Sequence, residues 1–115
     1  MISVSDHIKV YIAFGHTDMR KSINGLAIIV EDQLDLDLFS GHLFAFCNGR
    51  RNILKILYWD RNGFCLWQKR LEKDRFKWPC TGDEVMKVNR KELEWLLDGL
   101  EIKDAHRKLY YTSLF

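Results

Sequence analysis

Hydrophobic and polar positions along this chain switch between two periods, and each switch marks an element. Ile8–Ala13 is rich in β-branched and aromatic side chains and reads as a strand, broken by Gly15. Met19, Ile23, Leu26, Val30 and Leu34 then recur every three or four residues. That single stripe predicts a long helix, with Thr17 or Asp18 capping its start by accepting a backbone N–H. Gly25 inside it costs roughly 1 kcal/mol of helix propensity against Ala, which suits a close approach to a neighbour. Glu31, Asp32, Asp35 and Asp37 oppose the helix dipole, so the helix should fray by Leu34.

Three more strands are predicted at His42–Asn48, Ile53–Asp60 and Phe64–Leu71, joined by the turn dipeptides Asn48-Gly49 and Asn62-Gly63. Two short connections in a row make a meander. Phe76–Pro79 is extended and stops at Pro79, and Glu84–Val88 fits another short strand. Asn89, with Glu92 three residues on, fits a capping box for a helix over Arg90–Asp98. Leu93, Leu96, Leu97 and Leu100 form its stripe, and Gly99 fits the position past its end. Residues 1–102 read as one domain, and the aperiodic segment from Lys103 as a loosely ordered tail. The expected fold class is α+β: an antiparallel meander sheet of about four to five strands. The long N-terminal-half helix packs on one face and a short C-terminal helix follows.

Charge changes this picture more than composition does. Hydrophobic residues make up 47% of the 115 and charged ones 30%, which is ordinary for a globular domain. No run approaches the roughly 18 apolar residues that span a bilayer, and the N-terminus lacks a basic and then apolar leader. Cys47, Cys65 and Cys80 are odd in number and widely spaced, which suits a reducing compartment. The expectation is a cytoplasmic protein without a membrane partner. The net charge is only +2, yet Arg50, Arg51, Lys55, Arg61, Lys69, Arg70, Lys73, Arg75 and Lys77 crowd the middle of the chain. Only Asp60, Glu72 and Asp74 oppose them there. So basic a segment in a nearly neutral chain favours an anionic partner, nucleic acid first.

If Asn62-Gly63 is a two-residue turn, Lys55 faces Arg70; with a three-residue loop it faces Lys69. Either register sets like charges across the ladder, which is unfavourable unless an anion lies there. Tyr58, Trp59, Trp67, Phe76 and Trp78 are interleaved with these cations, as single-strand or distorted-duplex binding uses them. The plain alternative is a solvated face with edge lysines guarding against aggregation, over aromatics that belong to the core. Arg20 and Lys21, placed in the first turn of the long helix, form a second cluster that suits one phosphate. Equally, both fit a solvated pair bonded to nearby carboxylates.

Catalytic and metal-binding patterns are weak. The cysteines and His7, His16, His42 and His106 are scattered, so no zinc site, and no cofactor, is expected. No glycine-rich phosphate loop or nucleophile elbow occurs. Asp18 and Asp60 are a conceivable Mg²⁺ pair for a small nuclease, but acids beside caps and turns more commonly form those turns.

The runs Thr17–Leu26, Leu43–Asn48, Leu54–Asp60, Gly63–Trp67, Lys69–Glu72 and Arg75–Pro79 together resemble the TnpB accessory protein of insertion sequence family 66. That family is unrelated to the RNA-guided nuclease sharing the name. The resemblance covers roughly Tyr11–Ile102, with Gly49 standing where relatives often carry a basic residue. It implies a non-catalytic role in transposition beside a separate transposase. DNA is the expected partner, through Arg50, Arg51, Lys55, Arg61, Lys69, Arg70, Arg75 and Lys77, with Arg20 and Lys21 as a second cluster. Trp59, Trp67 and Trp78 would stack or pack. The rival expectation is an adaptor that docks on the transposase without touching DNA, since aromatics and arginine dominate interface hot spots.

Overall fold

The computed structural model describes Ser5, His7–Cys80 and Val85–Ile102. The predicted tail from Lys103, and Glu84 of the last predicted strand, lie outside the described residues. Five strands form one sheet: β1 (Val10–Ala13), β2 (Leu43–Cys47), β3 (Ile53–Asp60), β4 (Gly63–Arg70) and β5 (Val85–Val88). Their spatial order is β4-β3-β2-β1-β5.

The predicted meander is present as β2–β3–β4. β1 departs from it. It pairs parallel with β2, Val10 beside Leu43, and antiparallel with β5, so the sheet is mixed rather than antiparallel throughout. Parallel neighbours need a crossover, and residues 14–42 supply it. β2 reads Leu-Phe-Ala-Phe-Cys and is buried at every position. A strand without a polar side chain must be covered on both faces, and it is. One face packs Val10, Ile12, Ala45, Leu54 and Ile56 under Leu93, Leu96 and Leu97, with Phe76 and Trp78 in the same cluster. The other packs Phe44, Phe46 and Leu57 under Leu26, Ile29 and Val30. The expectation of a single covered face is thus corrected to a helix on each side.

The N-terminal-half helix is much shorter than its stripe predicted. α1 spans only Ile23–Ile28, and a wider π turn continues it over Ile29–Gln33. The cause lies before Ile23. Asp18 accepts the Arg20 N–H at 2.9 Å and Arg20 Nη2 at 2.7 Å, and its own carbonyl accepts the Lys21 N–H at 3.1 Å. Such local bonds compete with the helical ladder and leave a turn in its place. Met19 still packs against the same core, which is why it completed the stripe. At the far end Leu34 N–H reaches back to Ile29 O, and Asp35 takes a φ of 53°, ending the helix where its acids predicted.

α2 (Arg90–Leu97) follows the sequence reading closely. Asn89 accepts the Glu92 N–H at 2.8 Å, and the Glu92 carboxylate accepts the Asn89 N–H at 3.1 Å. Gly99 follows with a φ of +82°.

The β3–β4 turn differs from both predicted registers. Asp60 pairs with Gly63, so the two-residue loop is Arg61-Asn62, with Arg61 at a φ of 51°. Lys55 therefore faces Gln68, and Lys69 faces Leu54. Neighbouring strand positions point to opposite faces, so the two lysines lie on opposite sides of the sheet. The like-charge argument for an anion between them does not hold.

Candidate nucleic-acid interface

Parallel pairing brings the C-terminal ends of β1 and β2 together. The segment after β1 (residues 14–22), the β2–β3 loop (residues 48–52) and the stretch after β4 (residues 71–80) all gather at that end. Hydrogen bonds join the three. Thr17 N–H donates to Cys47 O at 2.8 Å, and Gly15 N–H to Pro79 O at 3.1 Å. Trp78 Nε1–H donates to Ala13 O at 2.8 Å. Leu71 N–H reaches Asn52 O, Phe76 N–H reaches Arg51 O, and the Arg75 guanidinium donates to Arg50 O. Asn48 holds the β2–β3 loop from within, its side-chain oxygen accepting from Asn52 N–H and Ile53 N–H at 3.0 Å each.

Of the residues predicted to bind nucleic acid, Arg20, Lys21, Arg50, Arg51, Arg70, Arg75 and Lys77 lie at this end, all exposed. Arg61 does not. It sits in the hairpin at the opposite end, 3.9 Å from Asp60. Lys55 and Lys69 are half-buried and held by the fold. Lys55 Nζ donates to Met19 O at 2.9 Å and Lys21 O at 3.0 Å, carbonyls that the missing first helical turn leaves open. Lys69 Nζ donates to Leu97 O at 2.8 Å, satisfying a carbonyl at the end of α2. Each ammonium thus has backbone partners within the fold, two carbonyls for Lys55 and one for Lys69.

The exposed arginines fall into two kinds. Arg20 is paired with Asp18 at 2.7 Å and Arg70 with Glu72 at 3.0 Å. Hydrogen bonds from Arg20 hold the Asp18 carboxyl at about 2, below its usual 3.8. Arg50, Arg51 and Arg75 have no carboxylate partner among the described residues. Arg51 instead donates to Cys80 Sγ at 2.7 Å, and does so from a backbone φ of 60°. Arg20 and Lys21 lie in a turn before Ile23 rather than in the first turn of a long helix.

The aromatics resolve mostly to core. Trp78 and Phe76 are buried, and Tyr58 and Trp67 pack against the same cluster. Trp59 lies far from the basic end, in an edge-to-face triad with Phe39 and Phe64. The interleaving of cations and aromatics in the sequence thus reflects alternation between surface and core, not a stacking platform.

Cavities open at the basic end. One of about 300 Å³ is bordered by Phe14, His16, Thr17, Asp18, Lys21 and Gln33, among others. The second, of about 200 Å³, is lined by Gly15, His16, Asn48, Gly49, Arg51, Trp78 and Cys80. His16, Asn48 and Cys80 were not singled out from sequence as binding residues. The signal for them was Gly15-His16 directly after a strand, which becomes informative only once that strand is known to run parallel to β2. Asp18 lies in this end's loop while Asp60 closes the far hairpin, so the two acids do not form a metal pair. Among the described residues no cluster of three His, Cys, Asp or Glu could hold a metal ion, and no helix is long and apolar enough to cross a membrane.

Comparison with known proteins covers the same elements. The chain is 36% identical over 101 residues to an uncharacterized protein, y4hO, of Sinorhizobium fredii (strain NBRC 101917 / NGR234), with 88% of each chain covered. It is 32% identical over 108 residues to y4jC of the same strain, also uncharacterized, covering 94% of this chain and 92% of the relative. No solved structure matches it. The family described as IS66 Orf2 like protein matches residues 8–107, a span that takes in every strand, both helices and all three loops of the basic end. On that match the chain belongs to the IS66 Orf2-like family, the accessory TnpB proteins of those insertion sequences.

Proposed function

We propose that this accessory protein of transposition does no chemistry itself and contacts DNA phosphates through the basic end of its sheet. Arg50, Arg51, Arg75 and Lys77 are the principal contacts, and Arg20, Lys21 and Arg70 flank them. The observation that carries the reading is the division among the arginines. Arg20, Arg61 and Arg70 have carboxylate partners, whereas Arg50, Arg51 and Arg75, all in the joined loops, have none among the described residues. A guanidinium without a carboxylate can meet a phosphate bidentately without first breaking an ion pair. Lys55 and Lys69 drop out of the contact set because their ammonium groups are bonded to backbone carbonyls. No base-reading side chain is assigned, so choice of element ends falls to the transposase. The setting is the cytoplasm, where the three free cysteines stay reduced.

The test is titration of fluorescent duplexes, carrying the element's terminal repeat or a scrambled sequence, at two salt concentrations. Binding should weaken steeply with salt, because neutralised phosphates release counterions. Arg50→Glu with Arg75→Glu should lower the log–log salt slope by about 2, at ~0.9 per contact, while Arg61→Glu should leave it unchanged. Equal effects of the two variants would refute the assignment.

A second reading, an adaptor that docks on the transposase without binding DNA, is favoured by one feature at the opposite end. Phe39 is 56% exposed there and packs on Trp59 and Phe64. No DNA binding at low salt, with recovery of purified transposase in a pull-down that Phe39→Ala abolishes, would establish this reading over the first.

A further inference from the structure

The smaller cavity at the basic end has the makings of a seat for one anionic group. Among the described residues its lining includes Arg51 and His16 and no carboxylate. The neighbouring cavity, by contrast, is bordered by Asp18 as well as Lys21. Arg51 reaches the lining from a left-handed backbone conformation that L side chains seldom adopt. Its hydrogen-bonding partner is the Cys80 thiol, a weak acceptor, so most of its five N–H donors remain for something else. The nearby Cys47 thiol is pushed up to about 12, chiefly by burial, and so offers Arg51 no counter-charge.

Size limits the ligand. At about 200 Å³ the cavity is several times the ~30 Å³ share of a water molecule. It is smaller than the roughly 300 Å³ at which sites for drug-sized molecules begin. That range suits a phosphate group with its bound water rather than a whole nucleotide. The walls are also fixed in advance. Trp78 is tied to Ala13 O, Gly15 to Pro79 O, and Asn48 to the backbone of its own loop. Walls set in place before binding lower the ordering cost.

We propose that this cavity binds a single phosphate group, held by Arg51 and His16. The proposal rests on the DNA-contact reading and deepens it, by assigning one phosphate a defined seat among otherwise surface contacts. The phosphate can come from within a strand or from a strand's end.

The experiment is NMR titration of the isotope-labelled full chain, first with inorganic phosphate at low ionic strength. Duplexes of one sequence with 5′-phosphate or 5′-hydroxyl ends follow. Saturable shifts are expected at the amides of Gly15, His16, Asn48 and Arg51 and at the Trp78 indole. Arg51→Gln should weaken phosphate binding by about tenfold, the scale of one lost hydrogen bond to a charged group. His16→Ala is a second variant at an exposed position. Unchanged core amides show that each variant is folded. Tighter binding of the phosphorylated duplex assigns the seat to a strand end. Equal binding with the same cavity shifts assigns it to an internal phosphate. Linear, unsaturable shifts spread over all exposed basic residues would overturn the proposal, as would Arg51→Gln and His16→Ala titrating like the parent. If duplexes bind with salt-sensitive affinity but leave the cavity amides unmoved, this inference fails and the DNA reading stands. If no duplex binds at low salt, the DNA reading fails.

Discussion

Two arginines, Arg51 and Arg61, sit in the left-handed region, at φ of 60° and 51°. For a residue with a Cβ that conformation costs roughly 1–2 kcal/mol. Glycine adopts it freely, though glycine brings about 0.5–1 kcal/mol of extra chain entropy to be lost on folding. Replacing either arginine by glycine should therefore stabilise the fold by about 0.5–1 kcal/mol, and neither position gives up a buried contact. In a domain of this size that raises the melting temperature by a few degrees, at about 4–8 °C per kcal/mol. The two variants should part company in DNA binding. Arg51 lies in the joined basic loops without a carboxylate partner, so Arg51→Gly should lower the salt slope by ~0.9, one phosphate contact. Arg61 lies at the other end beside Asp60, so Arg61→Gly should leave DNA affinity unchanged. Thermal denaturation and salt-dependent fluorescence anisotropy on the same preparations measure both. A fall in melting temperature for both variants would refute the strain argument. A loss of DNA affinity in Arg61→Gly equal to that in Arg51→Gly would refute the division of the molecule into a binding end and a bystander end.

Lys55→Met removes an ammonium that satisfies two carbonyls. It should cost about 1–3 kcal/mol of stability, with Lys69→Met in the lower part of that range. Both should bind DNA like the parent once folded, as a urea titration and anisotropy on the same samples would establish. Gly49 does not require a positive φ, and a Cβ there would meet His16 at an ordinary 3.9 Å. Gly49→Lys should therefore fold normally and steepen the salt slope by ~0.9; an unchanged slope would remove the β2–β3 loop from the DNA surface. His42 accepts the Lys9 N–H through Nδ1 at 3.0 Å, and burial, aided by the Lys9 charge, lowers its pKa from 6.5. The folded state thus prefers the neutral ring, and at mildly acidic pH the unfolded chain binds more protons. The contribution of His42 is complete above pH 6.5 and is lost as the pH falls toward its folded value. His42→Phe should flatten the urea midpoint across that window, and an unaltered pH dependence would contradict the assignment.

The elements that were legible in the sequence are those written in local signals. The capping box of Asn89 and Glu92 is complete within four residues, and α2 formed where it predicted. Ile53–Asp60 matched its run of alternating and buried positions residue for residue. The errors came where one local signal competes with another or where the determinant is distant. The stripe from Met19 to Leu34 is real as a set of core contacts, but Asp18 captures Arg20 and turns the chain before a helix can begin. Asn62-Gly63 looks like the better turn. Asp60 nevertheless pairs with Gly63, a shift that places Leu57 and Leu66 together under the same helix and Lys55 opposite Gln68. The excess of positive charge was legible; its division was not. Which arginine finds a carboxylate, and which lysine is used by a backbone carbonyl, depends on register and crossover rather than on composition.

The direction of β1 decides whether there is a site at all. Had β1 paired antiparallel with β2, residues 14–22 would emerge beside the Arg61 hairpin. Parallel pairing sends them instead to the end where β2 stops, and Thr17 bonds to Cys47 O there. β4 runs antiparallel to β3 and so finishes at this same end, delivering residues 71–80. Segments separated by some thirty positions each in the chain thereby surround one opening, the crevice that parallel strands leave beyond their carboxyl ends. The acids are sorted by the same topology. The crossover returns past Asp35 and Asp37 to Phe39, which touches Trp59 and Phe64 beside Asp60 and Arg61. Arg50, Arg51, Arg75 and Lys77 are thus gathered at one end of the sheet, although the chain as a whole is close to neutral. A local cluster of cations attracts an approaching polyanion whatever the sum of charge over the chain. A net charge of +2 is therefore no argument against the DNA contact proposed above.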